Sequence, residues 1–185
     1  MVDASLSRMH DLIKGLGRGL IAGIAGLAAM RLGLRIIRPI VRDRAPRPID
    51  VFATARSMSL VGVQHHADEA ATDAIARIAY EKLLHHEPSP PQKQRLSSLV
   101  HLGYGLAVAA LYGAITSRRD VDALRSGFLL GAALWLFGDE LVVPLLGLTD
   151  KPTAYHPTRH LQSLVAHLGY GLATAATTRG LRSLT

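Results

Sequence analysis

The chain has 185 residues, of which 49% are hydrophobic and 19% are charged, and its formal net charge is +7. It contains no cysteine, which excludes disulfide bridges, a cysteine nucleophile and thiolate-bound zinc or iron–sulfur centres. A mean hydropathy of +0.21 is high for a soluble protein, and the apolar content argues against intrinsic disorder. We therefore expect one domain that combines membrane segments with a more polar region.

Four apolar runs predict four transmembrane helices, at residues 16–38, 97–117, 126–148 and 159–179. A spanning helix needs roughly 20 mostly apolar residues, with a lower limit of about 17. The third run meets this requirement comfortably, and the second and fourth lie near the limit. The first run is short unless Arg31 lies inside the membrane or faces protein. Its Gly19 and Gly23 have the spacing of small residues in packed membrane helices.

Two other interpretations of these runs remain open. The apolar helices could be buried in the core of a soluble helical protein, or residues 1–29 could form a signal peptide. The third run, however, is apolar on every side over about five turns, whereas a surface helix of a soluble protein has a polar face. This run favours the membrane interpretation.

Residues 39–96 predict an extramembrane helical insertion between the first two spans. Within it, the basic, proline-rich residues 42–48 predict an irregular strap, and residues 50–60 a short helix. Asp68 and Glu69 would begin an amphipathic helix over residues 68–86, where acidic side chains suit the helix dipole. Its apolar face comprises Ala71, Ile75, Ile78, Ala79 and Leu83. This helix would act as a lid over the spans or lie on the bilayer surface.

The sequence His-Leu-Gly-Tyr-Gly-Leu-Ala occurs twice, at residues 101–107 and 167–173. Residues 19–23 and 127–131 align more weakly. The repeat predicts two homologous helix hairpins related by an axis along the membrane normal. The predicted fold is therefore an all-α integral membrane protein with a single membrane domain over residues 1–185. Its four transmembrane helices form two repeated hairpins, with the insertion between helices 1 and 2.

The paired heptapeptides, residues 135–144 and the Leu-Gly-Leu-Thr-Asp stretch at 146–150 resemble the YagU-like family of small bacterial inner-membrane proteins. The resemblance is best over residues 128–171 and loose over 16–37. It implies a multi-pass protein of the bacterial inner (plasma) membrane. Because the function of that family is unknown, the resemblance supplies no catalytic residues. Positive charges are nearly balanced between the two sides, and we expect both termini in the cytoplasm.

Polar side chains recur at one predicted depth of the membrane. Asp139 and Glu140 lie near the middle of an apolar helix, where a charged side chain costs about 3 kcal/mol or more and usually faces the bundle. Tyrosines follow both repeated histidines by three residues, on the same helix face. The predicted intramembrane polar cluster comprises Arg31, His101, Asp139, Glu140, His167, Tyr104 and Tyr170.

Three interpretations of this cluster remain open. It could be a satisfied network of ion pairs and hydrogen bonds, or a path for protons or ions. It could also bind haem through His101 and His167, or a divalent metal through two histidines and a carboxylate. Neither kind of cofactor site has a spacing signature, so we predict no cofactor and no metal.

The predicted function is that of a non-enzymatic scaffold or accessory component of a membrane assembly, because no phosphate loop, nucleophile elbow or HExxH sequence is present. The first alternative is proton-coupled movement of an ion or solute through the polar cluster. The second is a haem- or metal-binding electron-transfer subunit. The expected partners are the lipid bilayer and either a second copy or another membrane protein. Nucleic acid is not expected, because the arginines flank membrane helices without interleaved aromatic residues.

Overall fold

The computed structural model describes residues 2–41 and 57–184, with side chains from residue 5 onward. Its α-helices are α1 (Val2–Ile40), α2 (Ala71–Leu84), α3 (Pro90–Thr116), α4 (Ala123–Ala133), α5 (Val143–Leu145) and α6 (Pro157–Ser183). A π-helical segment, Leu134–Val142, joins α4 to α5, and a 3-10 turn, Pro152–Ala154, precedes α6. The described ranges contain no β-strand, so the predicted all-α class is confirmed there. The predicted strap at residues 42–48 and much of the predicted helix at 50–60 lie outside the described residues.

Three helices are long and apolar enough to cross a membrane: Ser5–Ile40, Pro90–Thr116 and Ala123–Leu145. The prediction of four such helices was wrong at the fourth. Helix α6 has 27 residues, but polar side chains such as Gln162, Thr174 and Thr178 dilute its apolar content. These three side chains are buried, so α6 uses its polar groups for packing inside the protein.

The described chain divides into two compact units. The first unit contains residues 1–41, 104–133 and 162–185, and the second contains residues 42–103 and 134–161. The first unit therefore contains α1, α4, the second half of α3 and most of α6. The second unit contains α2, the first half of α3, the π-helical segment, α5, and the turns before α6 together with its start.

Glycines bring the helices of the first unit into close contact. On the α1–α3 side, a Cβ atom added to Gly15 would lie 2.5 Å from the carbonyl oxygen of Gly113. On the α4–α6 side, a Cβ atom added to Gly127 would lie 2.8 Å from the carbonyl oxygen of Gly171. Both distances are too short for any side chain, so the backbones can approach only where glycine is present.

The same four helices are also joined by side chains. A Cβ atom on Gly26 of α1 would lie 2.8 Å from the ring of Tyr170 on α6. The Tyr170 hydroxyl donates a hydrogen bond of 2.6 Å to the Gly105 carbonyl on α3. The Tyr112 and Ser126 hydroxyls, 2.7 Å apart, link α3 to α4. The first unit is therefore a bundle of four mutually contacting helices.

The large apolar residues of this bundle face outward. On α1, the side chains of Leu20, Ile21 and Ile24 are exposed, whereas the small residues Ala22 and Gly23 are buried. The other helices repeat this arrangement, with exposed Leu111, Ile115, Leu124, Phe128 and Leu129 around buried Gly105, Ala109, Gly113, Gly127 and Gly131. Leu27 and Met30 of α1 are buried, but most of the large aliphatic side chains named here are exposed, whereas a soluble bundle buries such side chains.

At one end of the first unit, α1 and α6 both contact the connection between α3 and α4. The Arg118 Nε, just after α3, donates a hydrogen bond of 2.9 Å to Asp11 Oδ2 near the start of α1. The Arg182 guanidinium, near the end of α6, donates to the Arg119 carbonyl. The first turns of α1 and the last turn of α6 therefore meet at the connection between α3 and α4.

Helix α2 does not bury the apolar face predicted for it. It begins at Ala71, three residues later than predicted, and Leu83 is 80% exposed, with Ile75 and Ala79 also exposed. Its buried face includes Arg77 instead. The physical reason is that Glu69, in the preceding loop, is buried and holds the Arg77 guanidinium inward.

Candidate functional site

The seven residues of the predicted polar cluster are divided between the two units. The first unit contains Arg31, Tyr104, His167 and Tyr170, and the second contains His101, Asp139 and Glu140. Arg31 is exposed on α1. His167 Nδ1 lies 2.9 Å from the backbone carbonyl of Ser163, one turn earlier on α6.

The two tyrosines of the repeated heptapeptide have different environments. Tyr170 is 2% exposed and bonds to the Gly105 carbonyl, whereas Tyr104 is 56% exposed. The same seven-residue sequence therefore serves two purposes. Tyr170 closes the contact between α6 and α3, while Tyr104 lies at the surface of the first unit.

Glu140 pairs with a histidine that the sequence analysis did not include in the cluster. His160, in the first turn of α6, places its Nδ1 atom 2.6 Å from Glu140 Oε1. Its Nε2 atom lies 3.0 Å from the carbonyl oxygen of Pro152, in the 3-10 turn. Both side chains are largely enclosed, with 25% of His160 and 15% of Glu140 exposed.

One sequence signal could have identified His160. It precedes His167 by seven residues on the same helix, and side chains two turns apart lie on nearly the same helix face. The carboxyl partner could not be identified in this way, because Glu140 is 20 residues away across two turns.

A second polar network surrounds Glu69, whose side chain is 1% exposed. Its carboxylate accepts hydrogen bonds from Arg77 Nε at 3.0 Å, from Lys93 Nζ at 3.2 Å and from the His66 backbone N–H at 2.9 Å. Arg77 also donates to the Gln64 carbonyl at 2.6 Å. The network therefore joins the loop before α2 to α2 itself and to the first turn of α3.

The hydrogen bonds in this network shift the pKa values of Glu69 and Arg77. Burial alone would raise the pKa of the Glu69 carboxyl, but the hydrogen bonds from Arg77, from the His66 N–H and from Lys93 lower that pKa to about 2. The hydrogen bond to Glu69 in turn raises the pKa of Arg77 above its ordinary value. Both groups are therefore charged throughout the physiological pH range.

The loop before α2 is held at its other side by the turn that follows α5. The Leu60 N–H donates to the Leu145 carbonyl at 2.9 Å, and His65 Nδ1 lies 2.9 Å from the Gly147 carbonyl. The other ring nitrogen of His65, Nε2, lies 3.5 Å from Asp150 Oδ1. Gly147 has φ +70°, and a Cβ atom there would collide with the Gly62 carbonyl, so this turn requires glycine.

Neither the family models, the curated proteins nor the solved structures searched contain a match to this chain. The chemistry must therefore be inferred from the geometry itself. Among residues 2–41 and 57–184, no three His, Asp or Glu side chains are grouped closely enough to hold a metal ion. The described residues contain an acid–imidazole pair, a buried ion-pair network and a glycine-packed helical bundle.

Proposed function

We propose that this protein is an integral protein of the bacterial inner membrane and acts there as a non-enzymatic scaffold or accessory component of a membrane assembly. The observation that supports this is the outward orientation of the large apolar side chains in the first unit. Ile24 and Leu129 are 62% and 66% exposed, while glycine and alanine occupy many of the buried contacts. Transferring each such aliphatic side chain from water to an apolar environment contributes about 2 kcal/mol. A bilayer supplies that environment.

The three long apolar helices would provide the surface in contact with lipid, and α6 would be sheltered among them. Two of its buried polar side chains, Gln162 and Thr178, bond to backbone carbonyls within the bundle, as lipid surroundings require. Gln162 Nε2 donates to the Val41 carbonyl at 2.6 Å, beyond the last turn of α1, and the Thr178 hydroxyl donates to the Thr174 carbonyl at 2.8 Å. Helix α6 can therefore lie at membrane depth without being apolar enough to cross it alone.

The contacts of the glycines support a duplication and, with it, the YagU-like resemblance. A Cβ atom on Gly23 would contact Leu106 and Ala109, and one on Gly127 would contact Leu172 and Ala175. In the repeated heptapeptide and its continuation these partners occupy equivalent positions. The sequence alignment instead paired Gly127 with Gly19, so the two helix pairs match best after a slip of one helical turn.

We also propose that both termini are cytoplasmic. The α3–α4 connection carries Arg118 and Arg119, and it contacts the first turns of α1 and the last turn of α6. Short basic connections are retained on the cytoplasmic side of membranes.

A scaffold is favoured over a reaction centre because the strongest polar network is used to hold a loop. Glu69 and Arg77 are buried against each other and against backbone, so neither presents a reactive group to a substrate. The test is the size of the native particle extracted from its own membranes in mild detergent. We expect a discrete complex larger than the 19.8 kDa chain, disrupted when outward residues such as Leu129 are replaced by tryptophan. A monodisperse single chain without a partner would contradict the scaffold function.

A further inference from the structure

The hydrogen bonds of Glu140 and His160 determine how many protons these two side chains carry together. The Pro152 carbonyl can only accept a hydrogen bond, so His160 Nε2 must carry a proton to bond with it at 3.0 Å. The remaining nitrogen, Nδ1, lies 2.6 Å from Glu140 Oε1. A neutral imidazole protonated on Nε2 has only a lone pair on Nδ1, and an ionised carboxylate has only lone pairs as well. Two atoms that present only lone pairs repel each other at this distance, because no proton lies between them to form a hydrogen bond.

One additional proton is therefore required between the two side chains. Either the carboxyl of Glu140 is protonated and donates to Nδ1, or the imidazole is cationic and donates to the carboxylate. Both arrangements contain the same number of protons and make the pair neutral overall. They contain one proton more than an ionised glutamate beside a neutral histidine.

The surroundings of the pair are apolar and partly enclosed. Glu140 lies in the apolar span Ala123–Leu145, where a net negative charge would be costly. The side chains of His160 and Glu140 keep 25% and 15% of their surface exposed, so water can reach the pair. The segment is π-helical, and π-helical turns within α-helices are frequent at functional sites.

The charged neighbours do not supply the missing partner. Arg159, next to His160, stacks on the Tyr155 ring at 3.8 Å, and His156 Nδ1 bonds to the Thr158 hydroxyl at 2.9 Å. Asp139 precedes Glu140 in the π-helical segment and has an interaction of its own. In the turn before α6, Lys151 adjoins Pro152, and Asp150 faces His65.

We propose that Glu140 and His160 form a proton-binding site, in which one exchangeable proton is shared between Oε1 and Nδ1. On release, the proton passes to water and leaves a carboxylate beside a neutral imidazole. The proposed ligand of these two side chains is therefore a proton. This site does not depend on whether the protein is a scaffold, because it is inferred from the hydrogen-bond distances of the pair.

The test uses the full chain, labelled with 15N-histidine, in mild detergent at neutral pH. Loss of one signal in H160Q identifies His160 among the nine histidines. We expect either an imidazole ring with two N–H groups or an infrared carboxylic-acid band that disappears in E140Q. The Gln amide of E140Q can still donate to Nδ1, so this variant keeps the hydrogen bond and loses the proton. The matched control E87Q alters an exposed carboxyl and should leave both signatures unchanged.

Two results would overturn the proposal. The first is a His160 ring with a single N–H group together with an ionised Glu140. The second is a proton signature that persists unchanged as the pH is raised to 10 and does not exchange with deuterium, since this would indicate a fixed structural hydrogen bond. Neither result bears on membrane insertion, so the two proposals fail separately.

Discussion

Replacement of Glu69 by glutamine should release the loop before α2 while leaving the helical bundle intact. The substitution keeps the shape of the side chain and removes the negative charge that Arg77 and Lys93 face. The Arg77 guanidinium, 9% exposed, would then be a buried cation with only Glu81, at 3.3 Å, as its acidic partner. Removal of one partner from a buried ion pair typically destabilises by about 3–5 kcal/mol.

The lowered pKa of Glu69 gives a second figure for the stabilisation that its charge provides. Folding lowers this pKa from 4.5 to about 2. At about 1.4 kcal/mol for each pKa unit, the shift corresponds to about 3 kcal/mol of stabilisation at neutral pH. Because the Glu69 side chain is almost fully enclosed, solvent screening lowers this stabilisation only slightly. Lys93 is one-third exposed, so its ion pair with Glu69 contributes only a small part of the stabilisation.

Amide hydrogen exchange of α2 measures this effect directly. In E69Q, amides of residues 71–84 should exchange on the order of 100-fold faster, which is about 3 kcal/mol of local opening free energy. Amides in the middle of α6 should be unaffected. Because the pKa is lowered on folding, the stabilisation is complete above about pH 4.5 and is lost as the pH falls towards 2. Unchanged exchange in E69Q, or an equal change in the exposed-residue control E87Q, would refute this reasoning.

Three further substitutions test the packing. Gly131→Leu should disrupt the α4–α6 contact, because a Cβ atom there would lie 2.8 Å from Leu168 Cα. It should lower thermal stability in mild detergent by at least the roughly 1–3 kcal/mol typical of overpacking. The matched control is Gly17→Leu, which should be neutral because nothing lies within 4 Å of a Cβ atom at Gly17. Tyr170→Phe should cost about 1 kcal/mol in detergent unfolding, and a similar loss in Tyr104→Phe would contradict the burial difference. Gly147→Ala should make residues 57–66 sensitive to proteolysis, because φ +70° and the Gly62 carbonyl exclude a Cβ atom, whereas Gly103→Ala should not; equal resistance of both variants would count against this turn.

The helices could be predicted because their signal lies in neighbouring residues. The apolar runs and the glycine spacing indicated long, closely packed helices, and the structure contains such helices, although α1 begins at Val2, 14 residues before the predicted span, and α3 begins at Pro90, seven residues before it. The fourth span failed because α6 has the length of a membrane helix but mixes small and polar residues. Its buried Gln162 bonds to the Val41 carbonyl beyond α1, and a pairing over such a sequence distance is a property of the tertiary structure.

The polar partners could not be predicted for a related reason. Glu69 was interpreted as a helix-start acid, yet its partners Arg77 and Lys93 are 8 and 24 residues away. Glu140 was singled out for its place in an apolar helix, but its partner His160 is 20 residues away, beyond the turns that precede α6. A sequence shows which groups need partners in an apolar setting. The distances that decide the pairing depend on loops whose conformations rest on single residues such as Gly147.

Membrane insertion is the central claim, and the absence of cysteine allows it to be tested cleanly. A single cysteine at Ile24, 62% exposed on α1, should react readily with a water-soluble maleimide if the bundle is surrounded by water. We predict that I24C in opened membrane vesicles, with both faces accessible, is not modified until the protein is denatured, whereas S89C, in the exposed loop before α3, is modified at once. Rapid modification of I24C in intact membranes, at a rate similar to that of S89C, would contradict the account.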